Sequence, residues 1–243
     1  MLDANPLRQR LVDAATAGDS ARAKARARWL GERHSKDATL LVVLGGSLGA
    51  RPVNEALACP KTGAAALLAE DPTLHVLWQC GRGANFDDVV AAVEPHPRLR
   101  IAPFLDADAI RDALLAADAA VCRAGALTVS ELTLFGVPSV LVPSPHVADD
   151  HQAANARALA SEGAAEVVLE SELANLPATL RALLGDSARR LEMASSARKA
   201  GAGAAGAADR IAEAILASSL GEDDTASGAY ARAQAPAPAW LSQ

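Results

Sequence analysis

The stretch LLVVLGGSLGA at residues 40–50 decides the fold of this chain. Five successive apolar residues are typical of a β-strand that is buried on both faces, and the glycine-rich turn after them is typical of a strand that leads into a helix. A buried strand of this kind belongs to a parallel sheet that is covered by helices on both sides.

The same pattern recurs along the chain. The predicted strands are Leu40–Leu44, Leu74–Gln79, Leu99–Ala102, Ala119–Cys122, Ser139–Val142 and Ala165–Val168. The predicted helices are Pro52–Leu68, Ala109–Ala117, Thr128–Phe135, Asp150–Glu162 and, broken near Gly185 and Gly201, Glu172–Leu220. This alternation predicts a doubly wound α/β domain around a mainly parallel six-stranded sheet. Ligands of such sheets bind at the carboxyl ends of the strands.

The composition suits one such domain with two flanking segments. The 243 residues are 51% hydrophobic and 21% charged, enough for a sizeable core. The α/β domain is predicted over residues 37–220. Residues 1–36, which carry several arginines among alanines, are predicted as an interdomain linker and basic helix, and 221–243 as a disordered Ala/Pro-rich tail.

Charge and cysteine content argue against several classes of protein. The formal net charge of −6 argues against a general nucleic-acid or anionic-membrane binder. Cys59, Cys80 and Cys122 lie far apart and outside any CxxC spacing, so neither a disulfide framework nor a zinc site is expected, and a reducing cytosol is the default compartment. No apolar run approaches the roughly 18 residues of a membrane-spanning helix.

The turn after the first strand has the chemistry of a phosphate site. Its glycines let the backbone approach a phosphate, and the following helix start attracts negative charge, with Ser47 as an extra donor. A plain tight turn is the alternative. A dinucleotide fingerprint fits poorly because Leu44 stands at its first glycine and the second strand ends in Gln79 rather than an acid, which disfavours an NAD-linked oxidoreductase.

A second turn of this type, CRAGALTVSE, follows the fourth strand at residues 122–131. Backbone N–H groups near Ala126 and Thr128 could hold a diphosphate, and Glu131 could accept hydrogen bonds from two ribose hydroxyls. The alternative is a capping box, with Thr128 as the helix cap and Glu131 three residues later. Cys122 is interpreted as a small buried residue rather than an activated thiol.

The segment PSPHVADDHQAAN at residues 143–155 follows the fifth strand. Gln152 and Asn155 share a helical face that could bind sugar hydroxyls, with His151 beside it. A metal site at the histidines and aspartates of this segment is disfavoured by their spacing, and Asp149 or Asp150 is a natural helix cap. Asp106-Ala-Asp108 resembles the metal-binding DxD of some sugar-nucleotide enzymes, but capping of a helix is the preferred interpretation.

The three segments, in this order, closely resemble the donor-binding C-terminal half of the MurG family, bacterial peptidoglycan glycosyltransferases of glycosyltransferase family 28. Asn5-Pro-Leu-Arg8 is similar to the segment that joins the two halves of those enzymes, with Ala4 in place of its leading glycine. The resemblance covers residues 4 to 220. It implies a Rossmann-like half of a two-domain enzyme of the GT-B architecture, which transfers N-acetylglucosamine (GlcNAc) from UDP-GlcNAc to the undecaprenyl-diphospho-muramoylpentapeptide lipid with inversion.

The resemblance also implies which residues form the donor site. Arg8 and Ser47 would meet the diphosphate, Glu131 the ribose, the backbone at Phe104-Leu105 the uracil, and Gln152 the sugar. The full set implied is Arg8, Gly46, Ser47, Gly49, Leu105, Arg123, Gly125, Ala126, Leu127, Thr128, Glu131, His151, Gln152 and Asn155. The family often has Gln where His151 stands. Helix starts and an arginine can stabilise the leaving diphosphate, so no metal cofactor is required.

The family's acceptor-binding half, with its candidate catalytic bases, does not match any segment of this sequence, so the catalytic base stays unknown. We expect an acceptor-binding N-terminal-type domain on another chain, which would bring the lipid-linked acceptor to a cytoplasmic or peripherally membrane-attached enzyme. The alternatives are a non-catalytic sugar-nucleotide-binding or assembly module, and a sugar-nucleotide epimerase whose acid and base would come from the histidines and aspartates at 146–151.

Overall fold

The computed structural model describes residues 18–32, 34–146 and 150–202. The predicted linker segment up to residue 17 and the predicted tail at 221–243 lie outside the described residues. The strands are β1 (Thr39–Leu44), β2 (Leu74–Gln79), β3 (Leu99–Ala102), β4 (Ala119–Cys122), β5 (Ser139–Leu141) and β6 (Ala165–Val167). The helices are α1 (Gly18–Leu30), α2 (Arg51–Ala58), α3 (Ala64–Glu70), α4 (Ala84–Ala92), α5 (Ala107–Ala116), α6 (Ala126–Phe135), α7 (His151–Ser161), a 3₁₀ helix (Glu170–Asn175), α8 (Leu176–Gly185) and α9 (187–202).

The strands form one parallel sheet in the order β3-β2-β1-β4-β5-β6. This confirms the predicted doubly wound sheet. The chain begins in the middle, at β1, and builds outward first in one direction and then in the other. The order therefore reverses between β1 and β4, and a crevice for a ligand forms at such a reversal, beyond the carboxyl ends of the two strands.

Two hydrophobic layers cover the two faces of the sheet. In β1, Leu40, Val42 and Leu44 pack into one layer with α5, α6 and α7, whereas Leu41 and Val43 pack into the other with α2, α3 and α8. Successive side chains of a strand point to opposite faces, so a strand covered on both faces needs an unbroken apolar run. The sequence 40–44 meets this need.

The basic N-terminal segment contributes α1, which packs on the domain instead of standing in solvent. Ala25 and Leu30 are buried in the core layer of α5. Arg22 and Arg26 each form an ion pair of 2.8 Å with Asp118, at the amino end of β4. The α/β domain is therefore packed against α1, which lies in the predicted basic helix of residues 1–36.

Two helical predictions differ from the structure. The segment 52–68 forms two helices instead of one. Pro60 keeps Cys59 out of helical backbone, which ends α2. The chain then turns at Gly63, where a Cβ would lie 2.1 Å from the Leu57 carbonyl oxygen. Helix α4 was not predicted. Of its residues only Val89 is fully buried, so its apolar pattern is weak.

Within the described residues, no helix has both the length and the apolar character that crossing a membrane requires.

Candidate functional site

The two glycine turns singled out in the sequence lie side by side. Leu44, the last residue of β1, pairs with Cys122, the last residue of β4. The turn at 45–50 and the turn at 123–125 therefore leave the sheet at the reversal of strand order. This is the position at which doubly wound sheets bind their ligands.

The turn after β1 presents its backbone to solvent. Gly46 and Ser47 are exposed, and Gly46 has a positive φ of 76° with open space where a Cβ would stand. Helix α2 begins after Ala50 with no side chain capping it. The first N–H groups of a helix have no partner inside the helix, and here those of Arg51 and Val53 are available to an anionic ligand, whereas Pro52 carries no N–H.

Gly49 packs the turn after β1 closely against the turn after β2. Its φ is 83°, and a Cβ would lie 2.5 Å from the Cys80 carbonyl oxygen. The same crossing constrains Gly81, where a Cβ would lie 2.3 Å from the Gly49 Cα. Only glycine fits at both positions, so Gly49 shapes the site through backbone packing.

Asn54, on α2, links the turn after β1 to the end of β2. The sequence did not identify it as a site residue. It is 3% exposed, its amide donates to the Cys80 carbonyl at 2.8 Å, and its amide oxygen accepts from the Trp78 indole at 3.1 Å. A buried amide must be hydrogen-bonded. The signal in the sequence was a polar residue on the buried side of α2, between Val53 and Leu57.

The turn after β4 opens a second helix start. Gly125 is the N-cap residue of α6, and no side chain caps the helix. The N–H groups of Ala126, Leu127 and Thr128 are therefore the open donors of the first turn. The capping-box alternative is wrong, because Thr128 lies inside the helix, whose first residue is Ala126.

Glu131 is one turn further into α6. It is partly buried, and its carboxylate forms no hydrogen bond or ion pair with any described residue. Burial raises the pKa of this carboxyl above its ordinary value. A carboxylate whose burial is not compensated can accept hydrogen bonds from a ligand at little cost to the fold.

The thiol of Cys122 is buried. Burial, with a smaller contribution from the nearby Glu131, raises its pKa to about 12. This agrees with its interpretation as a small core residue. Cys59, Cys80 and Cys122 form no disulfide in this structure.

The loop after β3 lies at the same edge. Leu105 is buried, and within the described residues its backbone N–H and carbonyl take part in no backbone hydrogen bond. These groups are free to pair with the edge of a base. Asp106 accepts from the Ala109 N–H at 2.8 Å and caps α5, which confirms the capping interpretation of the Asp-Ala-Asp segment.

Arg123 was predicted to bind the ligand, but in the structure its guanidinium contacts other protein groups. Its guanidinium lies 2.5 Å from the Glu170 carboxylate and donates to the carbonyls of Val142 at 3.2 Å and Pro143 at 3.3 Å. These groups engage its Nη1 and Nη2 atoms. Arg123 therefore braces the segment after β5 in this structure, and direct contact with a diphosphate stays a prediction.

The start of α7 carries the residues predicted to bind a sugar. The side-chain oxygen of Gln152 accepts from the Ser144 N–H at 2.9 Å, which leaves its NH₂ for a ligand. His151 is the first residue of the helix. Asn155 is 4% exposed and donates to the Ala124 carbonyl at 3.0 Å, so it holds the turn before α6, and its contact with a sugar stays a prediction.

The remaining predictions concern Arg8 and a metal. Arg8 and Asp149 lie outside the described residues. Asp150 precedes α7 at the cap position but its side chain does not cap the helix, and instead accepts from Arg157 at 3.2 Å. Across residues 18–32, 34–146 and 150–202, no three His, Cys, Asp or Glu side chains form a group that could hold a metal ion.

Comparison with known proteins agrees with this geometry. The family model described as the glycosyltransferase family 28 C-terminal domain matches residues 40–211. A protein of Salinibacter ruber named UDP-N-acetylglucosamine–N-acetylmuramyl-(pentapeptide) pyrophosphoryl-undecaprenol N-acetylglucosamine transferase is 45% identical over 199 residues, which are 82% of this chain and 50% of that protein. A protein of the same name from Idiomarina loihiensis is 40% identical over 173 residues, 69% of this chain and 46% of that protein.

Among solved structures, Acinetobacter baumannii MurG superposes with a TM-score of 0.57 at 32% identity, over 73% of this chain and 48% of that one. The chain thus spans about half the length of the relatives that it matches. The matched family region begins at β1 and contains both glycine turns, Glu131 and α7.

Proposed function

Because this chain belongs to the glycosyltransferase family 28 C-terminal domain family, we propose that it binds UDP-GlcNAc as the donor-binding half of an inverting N-acetylglucosaminyltransferase. The acceptor in this proposal is the undecaprenyl-diphospho-muramoylpentapeptide lipid, in keeping with the names of the relatives.

The observation that carries the proposal is the arrangement at the start of α6. Open N–H groups at the first turn stand beside the partly buried carboxylate of Glu131, which has no partner among the described residues. Donors for a diphosphate and an acceptor for ribose hydroxyls are thus one helical turn apart. A nucleoside diphosphate needs both types of group at about this spacing.

Departure of UDP places negative charge on the diphosphate. The N–H groups at the starts of α2 and α6 are fixed before the reaction, so they can stabilise this charge without reorganising. Ser47 adds a hydroxyl from the exposed turn. In this proposal no metal ion takes part, and Arg8 adds the positive charge.

Transfer also requires an acceptor-binding half in addition to these residues, because both substrates must meet across one cleft. The described residues give no candidate for the base that deprotonates the acceptor hydroxyl. Since the proposed acceptor is a polyprenyl lipid, the proposed enzyme works at a membrane surface through its acceptor-binding half, and we place it on the cytoplasmic side as part of this proposal.

Thermal unfolding of the whole chain with UDP-GlcNAc, UDP, UDP-glucose and NAD in parallel tests the donor site. A ligand at 100 times its Kd adds about 2.7 kcal/mol to the free energy of unfolding. We expect stabilisation by UDP-GlcNAc and UDP and none by NAD. If no uridine nucleotide stabilises the chain, the proposed donor site is wrong.

A further inference from the structure

Arg82, in the turn after β2, lies between two parts of the predicted donor site. Its backbone N–H donates to the Ser47 carbonyl at 3.3 Å. Its guanidinium carbon lies 4.1 Å from the centre of the Phe104 ring, next to Leu105. One exposed cation thus connects the turn assigned to the diphosphate with the loop assigned to the base.

The charge of Arg82 is not neutralised by the fold. Among the described residues its guanidinium forms no ion pair and no hydrogen bond, and its one contact of note is the Phe104 ring. Most other arginines of the described residues have a carboxylate or carbonyl partner, as Arg51 does with Glu55 at 2.8 Å. An arginine that stacks on an aromatic face keeps the N–H groups at its edge available.

We propose that Arg82 is a donor-binding residue whose guanidinium, oriented by Phe104, binds the diphosphate of a uridine nucleotide. This inference rests on the proposed function and adds a residue that the motifs did not indicate. The diphosphate is the expected contact because Ser47 lies directly beside the Arg82 backbone, and because the planar N–H edge of guanidinium matches two phosphate oxygens.

Phe104 is the positioning residue in this arrangement. It is 41% exposed, and the Arg82 guanidinium carbon lies over its ring at 4.1 Å. Stacking restricts the guanidinium to a plane, so less conformational entropy is lost when phosphate binds. Removing the ring therefore weakens binding even though the charge remains.

The test is calorimetric titration of the whole chain with UDP, UMP and uridine at low and high salt. Arg82→Gln is expected to weaken UDP binding about tenfold, the loss of one charge-assisted contact, and uridine binding less than twofold. Arg82→Lys and Phe104→Leu are expected to give smaller losses. The difference between wild type and Arg82→Gln is expected to shrink at high salt, since the contact is exposed to screening.

Arg28→Gln is the control for the loss of a charge that lies over a ring, because Arg28 lies over Trp29 at 5.1 Å on α1, where it also pairs with Asp112 at 2.6 Å. It is expected to leave UDP affinity unchanged. Equal losses for uridine and UDP in Arg82→Gln, or no loss while the wild type binds UDP, overturn the inference and leave the proposed function standing. If the wild-type chain binds none of the three probes, the proposed function fails and the inference fails with it.

Discussion

The substitution Glu131→Gln should weaken the binding of uridine nucleotides and stabilise the ligand-free chain. The proposed contact is a carboxylate that accepts from two ribose hydroxyls, and glutamine keeps one acceptor oxygen without the charge. A hydrogen bond to a charged group contributes about 1.5–3 kcal/mol, which corresponds to a roughly 10- to 150-fold rise in the Kd of UDP. No internal partner is lost, because Glu131 has none among the described residues.

The stability effect follows from the direction of the pKa shift. Burial raises the pKa of Glu131, so the folded chain binds this proton more tightly than the unfolded chain does. Stability therefore falls as pH rises through the window between the ordinary glutamate pKa and the raised one. Glutamine does not titrate, so the variant should unfold at a higher temperature than the wild type at pH 7. The difference should shrink as the pH is lowered into that window.

Calorimetric titration with UDP and thermal unfolding over a range of pH measure the two effects. Glu70→Gln is the control, because Arg181 donates to that carboxylate at 2.6 and 2.8 Å and these bonds lower its pKa. The control should keep UDP affinity and gain no stability at pH 7. An unchanged UDP affinity in Glu131→Gln, or a lower unfolding temperature than wild type at pH 7, refutes the assignment.

Three further predictions test the rest of the site. Gln152→Ala should weaken UDP-GlcNAc about tenfold and UDP by much less, and equal losses in titrations of both would exclude a sugar contact. Gly49→Ala should lower the free energy of unfolding, measured in urea, by more than about 3 kcal/mol, because a Cβ would lie 2.5 Å from the Cys80 carbonyl oxygen and φ is 83°. At Gly46 a Cβ meets open space, so Gly46→Ala should lower it by only about 1 kcal/mol through backbone strain. Similar costs for the two would contradict the close approach. Glu170→Gln removes the ion pair with Arg123 that holds the segment after β5. It should therefore raise the KM for UDP-GlcNAc several-fold in a transfer assay that includes an acceptor-binding half. An unchanged KM would show that this ion pair does not affect donor binding.

The centre of the sheet could be predicted from the sequence because β1, β4 and β5 are buried on both faces. In β2, β3 and β4 the predicted and observed bounds coincide, since β2 ends in the polar Gln79, Pro103 follows β3 and Arg123 follows β4. Helix α4 could not be predicted in the same way. It contributes only Val89 as a fully buried residue, and a helix whose contacts are few leaves little periodicity in the sequence.

The turns of the site could be predicted, but the partners of its charged residues could not. Arg123 follows a strand at a glycine turn, which suggests a ligand, yet it pairs with Glu170, 47 residues later in the sequence. Arg82 shows the reverse case. Nothing around it in the sequence marks it, and its position beside Ser47 and Phe104 depends on the order of the strands.

Partly buried carboxylates at the two ends of the sheet have opposite surroundings, and this difference separates stability from function. At the amino ends, Asp118 accepts from Arg22, Arg26 and the Leu40 N–H, each at 2.8 Å, so its charge is compensated. At the carboxyl ends, Glu131 has no partner among the described residues, and burial raises its pKa. A domain with a margin of roughly 5–15 kcal/mol can keep a few uncompensated groups only if the rest of the molecule is well paired. The paired end and the two apolar layers supply that margin, so the open end can leave its hydrogen bonds to a ligand.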